Sequence, residues 1–242
     1  MVEFTTASEA SFERIIMIES DSGIMVTVAV IGGTGKEGGG LAVRWALNGY
    51  RVLIGSRDAQ RAAARCEEWN QELGGDYLTG MAHPDAAAAA DIVVVSVPFD
   101  AQPEIVESIK AQAAGKIVVD LTVPLKPPHV RTVFLPEGGA AALNTQRILG
   151  PTARVVGAFH NVSAGKLKDP SAEIDCDVLV CSDDADAKVD VIQLVEAAGM
   201  RGVDAGPLAN VVAAEALTPV LLHINKAYGI KTAGIRITGL PS

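Results

Sequence analysis

Aromatic side chains are scarce in this chain: Phe, Trp and Tyr make up 4% of its 242 residues. That scarcity excludes an aromatic sandwich core and a surface on which nucleic-acid bases stack. Cationic charge is short as well, with 20 Lys and Arg against 29 Asp and Glu, so a polyanion meets no overall attraction. No nucleic-acid partner is expected, and a small anionic ligand must rely on local donors. Cysteine numbers three, without close paired spacing, which excludes a disulfide framework and points to reduced thiols in a cytoplasmic setting. No apolar run reads as a membrane-spanning helix, so no membrane partner is expected either. The first residues lack the basic start and apolar stretch of a signal peptide: Glu3, Glu9, Glu13, Glu19 and Asp21 accompany a single Arg14. Residues 1–24 read as a dispensable N-terminal extension.

What the chain has in quantity is small and apolar residues, 49% hydrophobic with 24 glycines. From Met25 onward, short β-branched runs alternate with longer Ala-rich stretches. Strands are expected at Val26–Ile31, Arg51–Gly55, Ile92–Val97, Lys116–Leu121, Arg154–Ala158, Asp177–Cys181 and Gly202–Asp204. Helices are expected near Gly38–Asn48, Ala59–Leu73, Pro84–Ala90, Gln102–Ala113, Ala140–Leu149, Asp186–Ala198 and Leu208–Tyr228. Continuous apolar strands alternating with helices imply an α/β fold: a Rossmann-type doubly wound parallel sheet, covered on both faces. Residues 25–158 form the nucleotide-binding domain in this reading, and 159–242 a smaller C-terminal α/β domain. The stretch Thr122–Gly139, with Pro124, Pro127, Pro128 and Pro136, reads as a domain connection or a site lid.

The segment VIGGTGKEGGGLA carries Gly-x-Gly-x-x-Gly at Gly33, Gly35 and Gly38, directly after a strand and opening a helix. Gly33 permits the tight turn, Gly35 lets backbone approach a pyrophosphate, and Gly38 lets the helix lie close to the sheet. Unpaired N–H groups at the helix start then face the anion. Thr34 and Lys36 flank the loop, and Lys36 adds positive charge; Glu37 repels phosphate unless it points to solvent. An NAD site places Asp or Glu at the end of the second strand, on the ribose 2′-hydroxyl. Here Ser56 and Arg57 stand there, and a hydroxyl beside a guanidinium suits the 2′-phosphate of NADP(H). Asp58 reads as a favourable charge in the first turn of the next helix. Val97-Pro98-Phe99 and Val123-Pro124 follow strands at the carboxyl edge, where doubly wound folds bind ligands.

Taken together, VIGGTGKEGGGLA, GSRD, SVPFD, RVVGAFHNVSA, DVLVCSDD, VDAGPLAN, EALTPVLLHIN and AGIRITGL resemble the F420H2:NADP oxidoreductase family over nearly the whole chain from Met25. The resemblance implies an enzyme that transfers a hydride between NADP(H) and coenzyme F420, an 8-hydroxy-5-deazaflavin. The N-terminal extension is its one departure. Direct transfer needs the two rings placed against one another, with no obligatory acid–base dyad. Val97, Pro98, Phe99, Val123 and Pro124 would border the nicotinamide side. The segment around His160 and Asn161, with the turn Ala205, Gly206, Pro207 and Leu208, would form the deazaflavin side. His160 reads either as a donor to an anionic ring oxygen or as a loop imidazole bonded to backbone. Lys126, Arg131, Lys166 and Lys168 are candidates for a basic exit path.

The apolar helix with Leu217, Val220, Leu221 and Ile224 suggests a homodimer contact, and His223 on it reads as a core or interface residue. Cys176 and Cys181 fall on opposite faces of their strand, a poor metal pair, and no metal is expected. The rival readings are a non-catalytic NADP(H)-binding redox sensor, and an NADP-dependent reductase of a flavin or a small imine. A short-chain dehydrogenase would need Tyr-x-x-x-Lys, whereas Tyr228 and Lys231 have the wrong spacing.

Overall fold

The computed structural model describes residues 25–240; the expectation for residues 1–24 falls outside the described residues. In chain order the elements are β1 (Thr27–Ile31), α1 (Lys36–Leu47), β2 (Arg51–Ser56), α2 (Ala59–Leu73), β3 (Leu78–Ala82), α3 (His83–Ala89) and β4 (Ile92–Val95). Then come α4 (Gln102–Ser108), α5 (Lys110–Ala113), β5 (Ile117–Asp120), α6 (Ala141–Leu149), β6 (Arg154–Gly157) and α7 (Ala164–Leu167). The described chain closes with β7 (Asp177–Val180), α8 (Ala185–Ala197), β8 (Arg201–Asp204) and α9 (Val211–Tyr228).

Strands pair in the order β3-β2-β1-β4-β5-β6, all parallel, which is the doubly wound arrangement expected. The order reverses between β1 and β4, so the crevice at their carboxyl ends is the switch point where such sheets take ligands. Alternation along β1 divides the core. Val28 and Val30 face one cluster with Leu41 and Trp45 of α1, while Ala29 and Ile31 face the other with Val106 and Ile109. Both faces are covered, which is why the strands read as unbroken apolar runs.

The parallel pair β7-β8 joins the main sheet through an antiparallel bridge between Gly157 and Cys181. Residues from this part share a hydrophobic cluster with the first half: Val178, Val191 and Leu194 pack with Trp45. The Trp45 indole N–H donates to the Leu194 carbonyl at 2.8 Å, and the buried Arg44 guanidinium donates to the carbonyls of Ala198, Asp169 and Ala172. Cys176 and Cys181 flank β7 and enter opposite clusters, as their spacing implies.

Several elements depart from the sequence reading. Strand β3 was not expected, because as an edge strand only Leu78 of its five residues is buried. The helix expected over Gln102–Ala113 is interrupted at Ile109, whose φ of −108° and ψ of 2° break the helical run. The Thr122–Gly139 stretch joins β5 to α6, both within the main α/β layer, rather than connecting two bodies. Helix α9 with its leading 3₁₀ turn, Leu208–Tyr228, is long and apolar enough to span a bilayer on length and composition, contrary to the expectation that no segment is. It nonetheless buries Val211, Ala214, Glu215, Pro219 and Leu221 against the rest of the described chain.

Candidate active site

The glycine loop runs from β1 into α1, and each glycine has a distinct reason. Gly32, not Gly33, takes the left-handed turn, with φ of +80°; this corrects the role expected of Gly33. Gly33 is instead required by packing, since a Cβ there would lie 2.9 Å from both Ile54 and the Val30 carbonyl. At Gly38 a Cβ would meet Ser96 at 2.9 Å and Val30 at 3.1 Å, so its absence lets α1 lie on the sheet. Gly35 differs: a Cβ would approach only the Gly32 carbonyl, at 3.4 Å, and the position is open to an incoming group. The first helical bond runs from Gly39 N–H to the Gly35 carbonyl at 3.0 Å. The N–H groups of Lys36, Glu37 and Gly38 precede it and stay available to an anion.

These residues open onto a cavity of about 550 Å³. Gly35, Lys36 and Glu37 form one wall; Val97, Pro98 and Phe99, following β4, form a second; Leu121 and Val123, following β5, a third. His160, Asn161 and Ser163, following β6, close the fourth side with Thr218 and Asn225 of α9. Lys231 and Ala233, on the segment after α9, complete the rim. That segment is pinned: Ala233 N–H donates to Asn225 Oδ1 at 2.9 Å, and Ile237 N–H to Asp177 Oδ2 at 2.6 Å.

The other expected residues lie elsewhere. Ser56 and Arg57 stand at the carboxyl end of β2, one strand over from the loop, where Gly55 accepts from Gly32 N–H at 3.0 Å. Asp58 is the N-cap of α2, accepting from Gln60 and Arg61 N–H at 3.0 and 3.1 Å, so its carboxylate is already engaged. His83 opens α3 nearby, buried, and the Arg57 charge adds to burial in holding its imidazole below the usual value. Its place at this edge was not legible, because β3 was not. Thr34 and Pro124 are not among the cavity walls. The turn Ala205–Leu208 does not reach the cavity; it is held on β7, with Ser182 N–H donating to the Gly206 carbonyl and Leu208 N–H to Asp183. Lys126 lies over the Phe134 ring at 5.0 Å, and Lys166 donates to the Glu173 carbonyl. Lys231, which sequence reasoning passed over except as a failed Tyr–Lys pair, is on the cavity rim.

Beneath the floor lies a buried polar cluster. Asp120 accepts from Gln102 Nε2 at 2.7 Å and from the Thr145 hydroxyl. Glu215 of α9 caps α6, accepting from Ala141 and Ala142 N–H at 2.7 and 2.9 Å. The His160 imidazole points into this cluster: its side chain is 0% exposed, with Nε2 4.0 Å from Glu215 Oε1. Neither ring nitrogen has a hydrogen-bond partner among the described residues. Burial holds its pKa down to about 3, so the ring is neutral. The side chain is turned from the cavity, and the nearby Asp120 backbone is the group that works against burial on the imidazole. His160 meets the cavity through its main chain, and the Thr218 hydroxyl donates to its carbonyl.

The fold and the cavity define a Rossmann-type protein with its ligand crevice beside the glycine loop. The family described as NADP oxidoreductase, coenzyme F420-dependent, matches residues 27–124. The F420-dependent NADP reductase of Methanothermobacter thermautotrophicus is 40% identical over 225 residues, covering 90% of this chain and 97% of that one. The one from Methanocaldococcus jannaschii is 38% identical over 224 residues, covering 88% and 98%. A solved structure from Arthrobacter sp. FB24, assigned the same activity, superposes with a TM-score of 0.75 at 28% identity, covering 89% of this chain and all of that one. The chain belongs to the family of coenzyme F420-dependent NADP oxidoreductases.

The buried carboxyls set a pH dependence of stability. Burial pushes Glu215 up to about 8, from an ordinary 4.5. The folded state therefore holds more protons than the unfolded chain between those values, and stability falls as pH rises through that window. The expected result is a denaturation midpoint that declines from about pH 6.5 to about pH 8, less steeply in Glu215→Gln. Chemical denaturation at several pH values measures it, and equal slopes for both proteins would remove Glu215 from the cluster's titration.

Proposed function

We propose that this protein transfers a hydride between NADP(H) and coenzyme F420. Full-length similarity to reductases of that activity supports the reading, and the cavity carries it. Its walls come from the carboxyl edges of β1, β4, β5 and β6 at the switch point, and one end is an anion-ready helix terminus. The residues fit both carriers. Gly35 leaves backbone free to approach a pyrophosphate, and the N–H groups of Lys36, Glu37 and Gly38 supply donors to it. Ser56 and Arg57 hold the 2′-phosphate, one with a hydroxyl and the other with a planar fork of donors.

Bound together, the two carriers supply the redox chemistry, one ring passing a hydride to the other. The protein's part is placement and exclusion of water. Val97, Pro98, Phe99 and Val123 present apolar surface on the nicotinamide side. The main chain of His160 and Asn161 offers polar groups to the second ring, held rigid because the Asn161 amide donates to the Asp177 carbonyl at 2.7 Å. We place residues 25–158 as the nucleotide-binding unit and 159–242 as the part that completes the second site. The enzyme works in the cytoplasm in this reading.

The exposed face of α9 fits a second copy of the chain. On α9 Val220 is 43% exposed and Tyr228 77%, and Ile230 just past its end is 47% exposed. Sedimentation velocity should return the mass of a homodimer, and a monomer at micromolar concentration would refute that assembly.

The activity itself is tested by mixing the purified protein with NADPH and oxidised F420. The visible band of the deazaflavin should bleach, while flavin mononucleotide is reduced slowly or not at all. NADPH binding without any spectral change would instead make the protein a redox sensor. Replacing Arg57 with Ala should weaken NADPH by about tenfold to a hundredfold (~1.5–3 kcal/mol) and leave NADH nearly unchanged. Equal losses for the two nucleotides would deny Arg57 its 2′-phosphate.

A further inference from the structure

Residues 229–237, after α9, form no helix or strand, yet they supply cavity wall: Lys231 and Ala233 stand on the rim. An irregular segment keeps one position only where its backbone groups find partners elsewhere. Here two residues supply them. Gly229, with φ of +67°, turns the chain off α9. Asn225 then holds the near end, its carbonyl accepting from Ile230 N–H at 3.0 Å and its Oδ1 from Ala233 N–H at 2.9 Å. Asp177, the first residue of β7, holds the far end. Its N–H donates to the Ile235 carbonyl at 2.9 Å, and its Oδ2 accepts from Ile237 N–H at 2.6 Å. The segment is a strap strung between these anchors.

Asp177 has a further attachment. Its carbonyl accepts from the Asn161 amide at 2.7 Å, and Asn161 lies on the cavity wall that follows β6. One residue therefore fixes both the strap and that wall. Resting on the hydride-transfer reading above, we propose that Asp177 is a positioning residue for the second carrier: it clamps the strap to the Asn161 wall and so sets the part of the cavity that takes the deazaflavin.

The carboxylate is placed for holding rather than for chemistry. Asp177 is 0% exposed and does not line the cavity. Arg201 of β8 meets both of its oxygens, Nε donating to Oδ1 at 2.8 Å and Nη2 to Oδ2 at 2.6 Å. The same Nη2 reaches the Ile237 carbonyl at 3.2 Å. A planar fork fixes a carboxylate's orientation as well as its position, so Ile237 N–H meets an acceptor that cannot swing. Arg236 of the strap adds an ion pair with Asp175 at 2.8 Å. The strap is also pressed close, since a Cβ on Gly234 would fall 2.9 Å from Cys176 Sγ. The Asn161 amide lies 3.1 Å from that same sulfur. The hydrogen bonds of Asp177 and Asn225 do not extend to the glycine loop, Ser56 or Arg57. Loosening the clamp is therefore felt by one carrier and not by the other.

Steady-state kinetics with NADPH and oxidised F420, beside NADPH binding followed by nucleotide fluorescence, test this. Asp177→Asn keeps one acceptor oxygen but breaks the fork on Arg201. It should raise KM for the deazaflavin about tenfold or more, with kcat and the NADPH dissociation constant within about twofold. Gly234→Ala leaves the Asp177–Arg201 pair intact and displaces the strap from Cys176. It should raise the same KM by about threefold to tenfold, and it decides the question if Asp177→Asn does not fold. In the native protein, hydrogen exchange over residues 230–237 should slow with oxidised F420 and stay unchanged with NADP+ alone. Equal losses for NADPH and the deazaflavin, an unchanged KM in Gly234→Ala, or strap protection by NADP+ alone would overturn the proposal while leaving hydride transfer intact. Failure of the native protein to reduce the deazaflavin would overturn the functional reading and this inference together.

Discussion

The structure depends on how closely the start of α1 lies against the sheet. Three consecutive glycines, Gly38 to Gly40, occupy its first turns, although each costs a helix about 1 kcal/mol relative to alanine. Nothing larger fits: a Cβ would fall 2.9 Å from Ser96 at the first, 2.6 Å from Trp69 at the second, and 2.7 Å from Leu167 at the third. Each contact ties α1 to a different part of the chain, namely β4's edge, α2 and α7. The loss in helix propensity is thus offset by three packing interfaces. Their joint effect is to aim the N–H groups of Lys36, Glu37 and Gly38 into the switch-point crevice. A helix held farther from the strands would leave those donors beside the crevice rather than at its wall.

A second constraint fixes the opposite side of the cavity. The carboxyl end of β5 would splay if Asp120 were left alone, since a buried carboxylate without partners is costly. Gln102 from α4 and Thr145 from α6 satisfy it, and Glu215 from α9 takes the first N–H groups of α6. Four elements are thereby tied beneath the chain that runs past Val123 and His160. This explains the orientation of His160. Its side chain adds to the buried cluster, and its carbonyl is engaged by Thr218, so what reaches the cavity is a fixed stretch of main chain rather than a mobile imidazole.

The sequence made the sheet and the phosphate loop plain, because both follow from local periodicity. Strands buried on two faces are unbroken apolar runs, and the glycine spacing sits between such a run and an amphipathic helix. Edge strand β3 was hidden for the complementary reason: with one buried residue in five, LTGMA carries no periodic signal. The role of Gly32 was misplaced onto Gly33 because the two are adjacent and only backbone torsion separates a turning glycine from a packing one. The Ala205–Leu208 turn looked like a ligand loop by its composition, but long-range bonds to Ser182 and Asp183 draw it to β7. Lys231 was invisible as a wall residue, since its position depends on Asn225 and Asp177 pinning the end of the described chain. In the last two cases what was missed depends on partners distant in sequence.

Net charge illustrates the same division between global and local physics. With nine more acids than bases, the chain as a whole repels the phosphate-bearing carriers its site is built to take. At physiological salt that repulsion is screened beyond about 8 Å. Inside the crevice, screening fails and only nearby groups matter: the α1 terminus, Lys36 and Lys231 in favour, Asp100 against. An ionised Glu37 would cancel Lys36 on the same helical turn. The N–H groups of Lys36, Glu37 and Gly38 remain in favour, and the cradle offers donors to an anion within a protein that is an anion itself.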